Sequence, residues 1–362
     1  MNRADFRAGL RSWLDDNDLS VGPDHSLDAQ VAQLARVRRA LYDADWMRYG
    51  WPAEVGGLGG PAVLRAILGE EVATRDLAEP GIYSMIEVLA PTMISYAAPG
   101  LAAEMVPRLL SGREQWCQGF SEPGSGSDLA SLSTRAEPRG DHWVVSGQKV
   151  WTSLAQYSSR CILLTRTGIG HDGITAFFVD MDSPGITVRP LRTMHGIDEF
   201  AEVYFDDVVV PADRMLGRLG DGWRVAMDLL PHERSTCFWH RIAYLYTRFD
   251  QLLARSADGD DADLGAAYLA LHTIRCRSLA TQERLAAGGR LGPETSIDKV
   301  LLATAEQQLF DTVRDLSPGV IELADSPLRA EFLYSRAATI YGGTAEIQRN
   351  IIARRLLDLG KE

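Results

Sequence analysis

Three serines, two carboxylates and two glycines crowd into one eight-residue stretch, SEPGSGSD, from Ser121 to Asp128. Glycines at 124 and 126 are expected to take positive φ and to bring backbone N–H groups close to a ligand. Successive N–H groups of that kind form a concave donor array suited to anionic oxygen. Further on, HWVVSGQKVWTS reads as a hairpin, with HWVV and KVWTS as strands and SGQ as the turn. Trp151 beside Thr152 and Ser153 would set a flat apolar wall next to hydroxyls. Chemistry alone describes a polar loop and an aromatic platform. Each serine could equally close a local turn hydrogen bond.

The elements around this stretch change texture twice, and three domains are expected. Residues 1–112 look helical, with apolar residues at three- and four-residue steps in LDAQVAQLARVRRALYDADW. The glycines and prolines of GWPAEVGGLGGP break that pattern as a loop would. Residues 113–215 hold short β-type runs (CILLTRT, ITAFFVDM, GITVRPL, AEVYFDDVVV), a spacing that implies a small antiparallel barrel or sandwich. Residues 216–362 return to long amphipathic segments that should pack as a four-helix bundle. The fold class is therefore α+β, with helices, a β-domain and helices in that order.

Composition bounds the partners. The formal charge is −12, which argues against nucleic acid or an anionic membrane surface. No apolar run approaches the length of a membrane span, and the acidic start MNRADFRAGLRSWLDD lacks a signal-peptide core. Cys117, Cys161, Cys237 and Cys276 lack CxxC or His spacing, a pattern of reduced thiols in a cytoplasmic protein without a metal site.

The order of residues says more. WCQGFSEPGSGSD through KVWTS resembles the flavin-binding signature of the acyl-CoA dehydrogenase family, and IYGGTAEIQRNIIARRLLDLG resembles that family's C-terminal motif. The resemblance spans essentially the whole chain. It implies FAD-dependent α,β-dehydrogenation of an acyl-CoA thioester, with electrons passed to an electron-transfer flavoprotein. A carboxylate would take the α proton while hydride leaves the β carbon. It further implies that Phe120, Ser121, Gly126, Ser127, Trp151 and Ser153 line the flavin, with Thr344 and Glu346 near its edge. Tyr341, Gly342 and Arg234 would meet the substrate, Arg234 having a structural salt bridge as its alternative role.

The general base departs from the commonest pattern. Where many members read Tyr-Glu-Gly-Thr, this chain reads Tyr341-Gly342-Gly343-Thr344. Glycine cannot abstract a proton. Glu233 in LLPHERST matches the position from which the long-chain and isovaleryl types supply their base, and the two departures complement each other. Pro231 should kink the helix just before it. Outside that context Glu233 would be a surface residue in a helix salt bridge. Glycine at 342 also opens volume that favours branched or bulky acyl groups, sterol-derived ones included.

Two family features are missing. Of Arg-x-x-Phe-Gly, which holds the flavin nucleotide of an adjoining subunit, only Arg248-Phe249 remains, and DTVRDLSPGVIEL replaces Gln-x-x-Gly-Gly. Their joint loss favours an α2β2 heterotetramer with a paralogous chain over a homo-oligomer with an atypical adenine end. Other readings are a non-catalytic or half-site subunit that completes a partner's FAD site, and a flavin oxidase or monooxygenase on the same fold.

Overall fold

The computed structural model describes residues 1–22, 24–256, 261–323 and 326–360. Six helices form its first part: α1 (Arg3–Asp16), α2 (Leu27–Asp43), α3 (Val63–Thr74), α4 (Pro80–Ser84), α5 (Ile86–Tyr96) and α6 (Pro99–Leu110). Asn2 and Ser26 cap the first two, their side-chain oxygens accepting from the Asp5 and Ala29 amides. Phe6, Leu10 and Leu14, at four-residue steps, give α1 its buried stripe.

Eight strands follow: β1 (Trp116–Gly119), β2 (Arg135–Arg139), β3 (His142–Ser153), β4 (Arg160–Arg166), β5 (Ile174–Asp180), β6 (Ile186–Leu191), β7 (Phe200–Pro211) and β8 (Met215–Leu216). They pair in the order β6-β7-β3-β2-β4-β5-β8, mostly antiparallel, with β1 running parallel to β4. The middle of this sheet is covered on both faces. Ile162 and Leu164 pack with the N-terminal helices, while Cys161 and Leu163 face the second core with Phe177 and Val203. Two-sided burial explains why β4 reads as a continuous apolar run rather than an alternation.

The expected hairpin is one continuous strand. SGQ does not turn, and β3 runs through it with a register shift between Val145 and Gly147. Glycine is needed there because a Cβ would lie 2.5 Å from the Thr134 hydroxyl. The extra residue is on β7, where Asp206 and Asp207 face Ser146, and is absorbed as a bulge.

The last part comprises α7 (Gly222–Glu233), α8 (Thr236–Leu253), α9 (Asp261–Ala286), α10 (Thr295–Leu316), α11 (Pro327–Ser335) and α12 (Ala345–Arg355). α8, α9 and α10 pack around Leu245, Leu271 and Leu309, and α12 lies against α10. α7 belongs instead to the N-terminal core through Val225, Ala226 and Leu229. The proline-containing stretch does more than kink: α7 ends at Glu233, and Ser235 leaves helical geometry at ψ −100° before α8 begins. α8 is anchored to α3 by His240, whose ring occupies the space that a side chain at Gly69 would fill. No helix among the described residues is long and apolar enough to cross a membrane.

Candidate active site

The 121–128 loop is fastened from beneath. Glu122 and Ser125 exchange backbone hydrogen bonds of 2.8 and 3.0 Å. The Glu122 carboxylate accepts from the Ser133 and Thr134 amides at 2.6 and 2.9 Å and from the buried Lys149 ammonium at 2.8 Å. Lys149 also donates to the Phe120 carbonyl. Burial works against the Glu122 charge, but Lys149 and these donors outweigh it and hold the carboxyl at about 2. Gly124 and Gly126 do not take the positive φ expected of them. A Cβ at either would meet nothing within 4 Å, so these glycines border open space, which suits close approach of a ligand to the backbone.

The named serines differ from their neighbours. The Ser125 and Ser131 hydroxyls donate to the Asp128 carbonyl, and that of Ser158 to the Leu154 carbonyl. Those of Ser121, Ser127 and Ser153 have no partner among the described residues. The Ser121 carbonyl accepts from the Val150 amide at 2.9 Å, which ties the loop to β3 beside Trp151.

Trp151 is held out of the sheet. The β3–β7 register shifts between Lys149 and Thr152, and Trp151 adopts φ +60°, a left-handed conformation that costs a bulky residue energy. Its ring stays 59 % exposed, with the edge of Phe200 at 6.0 Å. Beside it, the Thr152 hydroxyl is buried without a partner among the described residues. An exposed aromatic face in strained backbone thus lies next to an orphaned hydroxyl and free serines.

The second half of the site assembles at the α7–α8 break. Gly342 and Gly343 take φ +62° and +90° in the turn before α12. A Cβ on Gly342 would lie 2.7 Å from Oε1 of Glu233 and 3.7 Å from Nζ of Lys299. The carboxylate thus stands where the first carbon of a residue-342 side chain would project. Arg234 is buried, and its Nε donates to the Gly342 carbonyl at 3.3 Å; burial lowers its pKa, with Glu233 opposing. Gln348 Nε2 reaches the same carbonyl at 3.4 Å. Tyr341 lies under the Lys299 ammonium, 3.9 Å from ring centroid to nitrogen.

Between the two halves, Leu154 donates its amide to the Glu199 carbonyl, and Tyr334 packs 5.8 Å from Tyr341. Burial raises the pKa of Tyr334, with the Glu199 charge adding. Burial pushes Glu199 up to about 8, with Glu79 adding and Arg241 opposing. Arg241 holds the fully buried Glu306 at 2.8 Å and Glu79 at 3.4 Å. Sequence reasoning passed over Lys149, Glu199, Arg241 and Lys299. The only signal available was that charged residues fall inside otherwise apolar β or helical patterns.

Other named residues lie at the margin. The Thr344 side chain caps α12, accepting from the Ile347 amide at 3.2 Å. Glu346 is 78 % exposed, 3.8 Å from Arg349. Arg248 is committed inside the chain, bonded to Asp76 at 2.9 and 3.1 Å and to Glu331 at 3.0 Å.

Comparison with known proteins agrees with this layout. Three family models match in order: the acyl-CoA dehydrogenase N-terminal domain over residues 4–113, the middle domain over 117–208 and the C-terminal domain over 220–357. The chain is 38 % identical to "Acyl-CoA dehydrogenase IpdE1" of Mycobacterium tuberculosis, covering 99 % of this chain and 98 % of that protein. Among solved structures it superposes on a chain of the ChsE4-ChsE5 complex from Mycobacterium tuberculosis with TM-score 0.83, 26 % identity and coverage of 99 % and 98 %. It shares its fold with "Tcur3481-Tcur3483 steroid ACAD" at TM-score 0.84, 24 % identity and coverage of 99 % and 97 %. The chain belongs to the acyl-CoA dehydrogenase family and is an acyl-CoA dehydrogenase.

Proposed function

We propose that this chain dehydrogenates a branched or bulky acyl-CoA, steroid-derived thioesters among them, with Glu233 as the general base and FAD as the resident cofactor. One observation carries the reading: a Glu233 carboxylate oxygen lies 2.7 Å from the Cβ position of Gly342. The family commonly mounts its base at that turn. Here the same point is reached from the end of α7. Bound FAD would supply the hydride acceptor for the β carbon.

Glu233 takes the α proton onto a carboxylate oxygen. The Tyr341 ring lies under the Lys299 ammonium, and Arg234 steadies the turn through the Gly342 carbonyl. The exposed face of Trp151, the orphaned Thr152 hydroxyl and the free Ser121, Ser127 and Ser153 hydroxyls fit an isoalloxazine and its phosphates. Glu233 takes the space next to Gly342, and the turn itself carries no side chain toward the acyl chain, which is the ground for a bulky substrate. One fold neighbour, "Tcur3481-Tcur3483 steroid ACAD", is named for a substrate of that class. Electrons would pass to an electron-transfer flavoprotein.

The test is Glu233→Gln. Flavin stays bound and substrate affinity holds, while flavin reduction by a panel of straight, branched and steroidal CoA thioesters slows by about 10²–10⁴-fold. Near-normal reduction would sink the assignment.

A heteromeric assembly is favoured by Arg248. Its guanidinium is occupied by Asp76 and Glu331, so it is not free to hold an adjoining chain's nucleotide. A paralogous second chain would then complete the FAD site in an α2β2 tetramer. The chain expressed alone should elute from gel filtration without a stoichiometric flavin spectrum. A yellow, active homotetramer would refute this.

A further inference from the structure

We propose that Lys299 is a positioning residue for Glu233: its ammonium, set across the Gly342 turn, balances the carboxylate's charge and holds it in place until a proton arrives from the acyl chain. This rests on Glu233 being the base.

Lys299 is only 2 % exposed, on the inward face of α10. Its Nζ donates to the Ala338 carbonyl at 2.7 Å and sits over the face of Tyr341. No carboxylate lies within ion-pairing distance among the described residues. Leaving a buried ammonium without a counter-charge is costly, so a partner at slightly longer range is expected. Two anions are near. Glu306, on the same helix, is already bound by Arg241 at 2.8 Å. That leaves Glu233, whose Oε1 and the lysine nitrogen stand 2.7 and 3.7 Å from one point, the Cβ position of Gly342.

The other groups facing this pair do not replace Lys299. Arg234, at the end of α7, is a second cation that interacts with Glu233, its Nε fixed on the Gly342 carbonyl, so the Lys299 variants read the lysine's share alone. Cys237 and Tyr341 have their pKa values pushed up by burial and stay neutral. Arg241 is held by Glu306 and Glu79. Burial draws the lysine down to about 8, with Glu233 and then Glu306 opposing, so at neutral pH it carries its charge. A cation held beyond ion-pairing distance can stabilise the anion without forming the hydrogen bond that would block proton uptake. The Ala338 carbonyl and the Tyr341 ring keep it at that distance.

Lys299 also supports the turn through Ala338, so the test must separate charge from scaffolding. Lys299→Arg keeps charge. Lys299→Gln keeps an N–H donor and loses charge. Lys299→Met loses both. Each is loaded with FAD, together with the second chain where one is needed. Flavin reduction is followed against pH with the thioester that reduces the wild type fastest. In cofactor-free protein, the carboxylate infrared band that Glu233→Gln removes is followed against pH as well.

For Lys299→Gln and Lys299→Met, the acidic limb of the reduction profile and the infrared transition should both move up by about one pH unit or more. Lys299→Arg should stay near the wild type. An unmoved limb and an unmoved band in folded Lys299→Gln, alongside an inactive Glu233→Gln, overturn the role of Lys299 alone. Near-normal reduction by Glu233→Gln overturns the base assignment instead. Should Lys299→Met fail to fold, Lys299→Gln carries the measurement.

Discussion

Lys149 and Lys299 are both enclosed, and burial draws both ammonium groups down to about 8, yet their partners differ. Lys149, under the flavin-type loop, has a carboxylate at 2.8 Å, and that carboxylate is further satisfied by two backbone amides. Lys299, behind Gly342, has a carbonyl and an aromatic face, with its nearest uncommitted carboxylate held off. The first arrangement is closed, every charge is answered, and its product is rigidity. The second leaves its carboxylate without a hydrogen-bond donor among the described residues, as the proposed proton acceptor needs. Saturated polar networks build scaffolds; unsaturated ones do chemistry.

The sharpest way to break the comparison is Glu122→Gln. It strands the Lys149 ammonium and should destabilise the folded chain by about 3–5 kcal/mol in denaturant melts. Loss of under about 1 kcal/mol would mean that the loop is not held from below. The same pair sets an acid limit. Because the folded Glu122 carboxyl titrates at about 2 against an ordinary 4.5, its contribution is fully present above pH 4.5 and disappears as pH falls toward 2. That contribution is about 3 kcal/mol, and Glu122→Gln should abolish it, which flattens the acid limb of stability against pH. A smaller change sharpens the other side. Gly342→Ala imposes a side chain at φ +62° and a contact of 2.7 Å on Glu233, which should cost about 1–3 kcal/mol of stability and slow flavin reduction more than it weakens thioester binding. Unchanged reduction with lowered stability would place the carboxylate elsewhere in the working enzyme.

Much of this was legible in the sequence where local order carries the information. The helix–sheet–helix sequence followed from periodicity, and the pairing of Glu233 with Gly342 followed from two motif departures that complement each other. The SGQ turn misled because glycine at 147 answers a tertiary need, the closeness of Thr134, rather than a turn. The glycines at 124 and 126 were assigned a backbone conformation that they do not adopt; they face open space. The end of α7 at Glu233 exceeded the expected kink because Ser235 leaves helical geometry altogether. Lys299 was passed over for a different reason. It lies on a helix remote in sequence from both Glu233 and Gly342, and a charge in a helical pattern does not say what it faces. Only folding brings the three together.

β4 serves two cores at once, alternate residues feeding the helical shell on one side and the barrel-like interior on the other. Cutting the chain at either end of the β-region would therefore bare Ile162, Leu164 and Phe178 along one continuous surface. An excised middle fragment should aggregate rather than fold, whereas amides at the centre of β4 and β5 in the intact chain should be the last to trade their protons for deuterium.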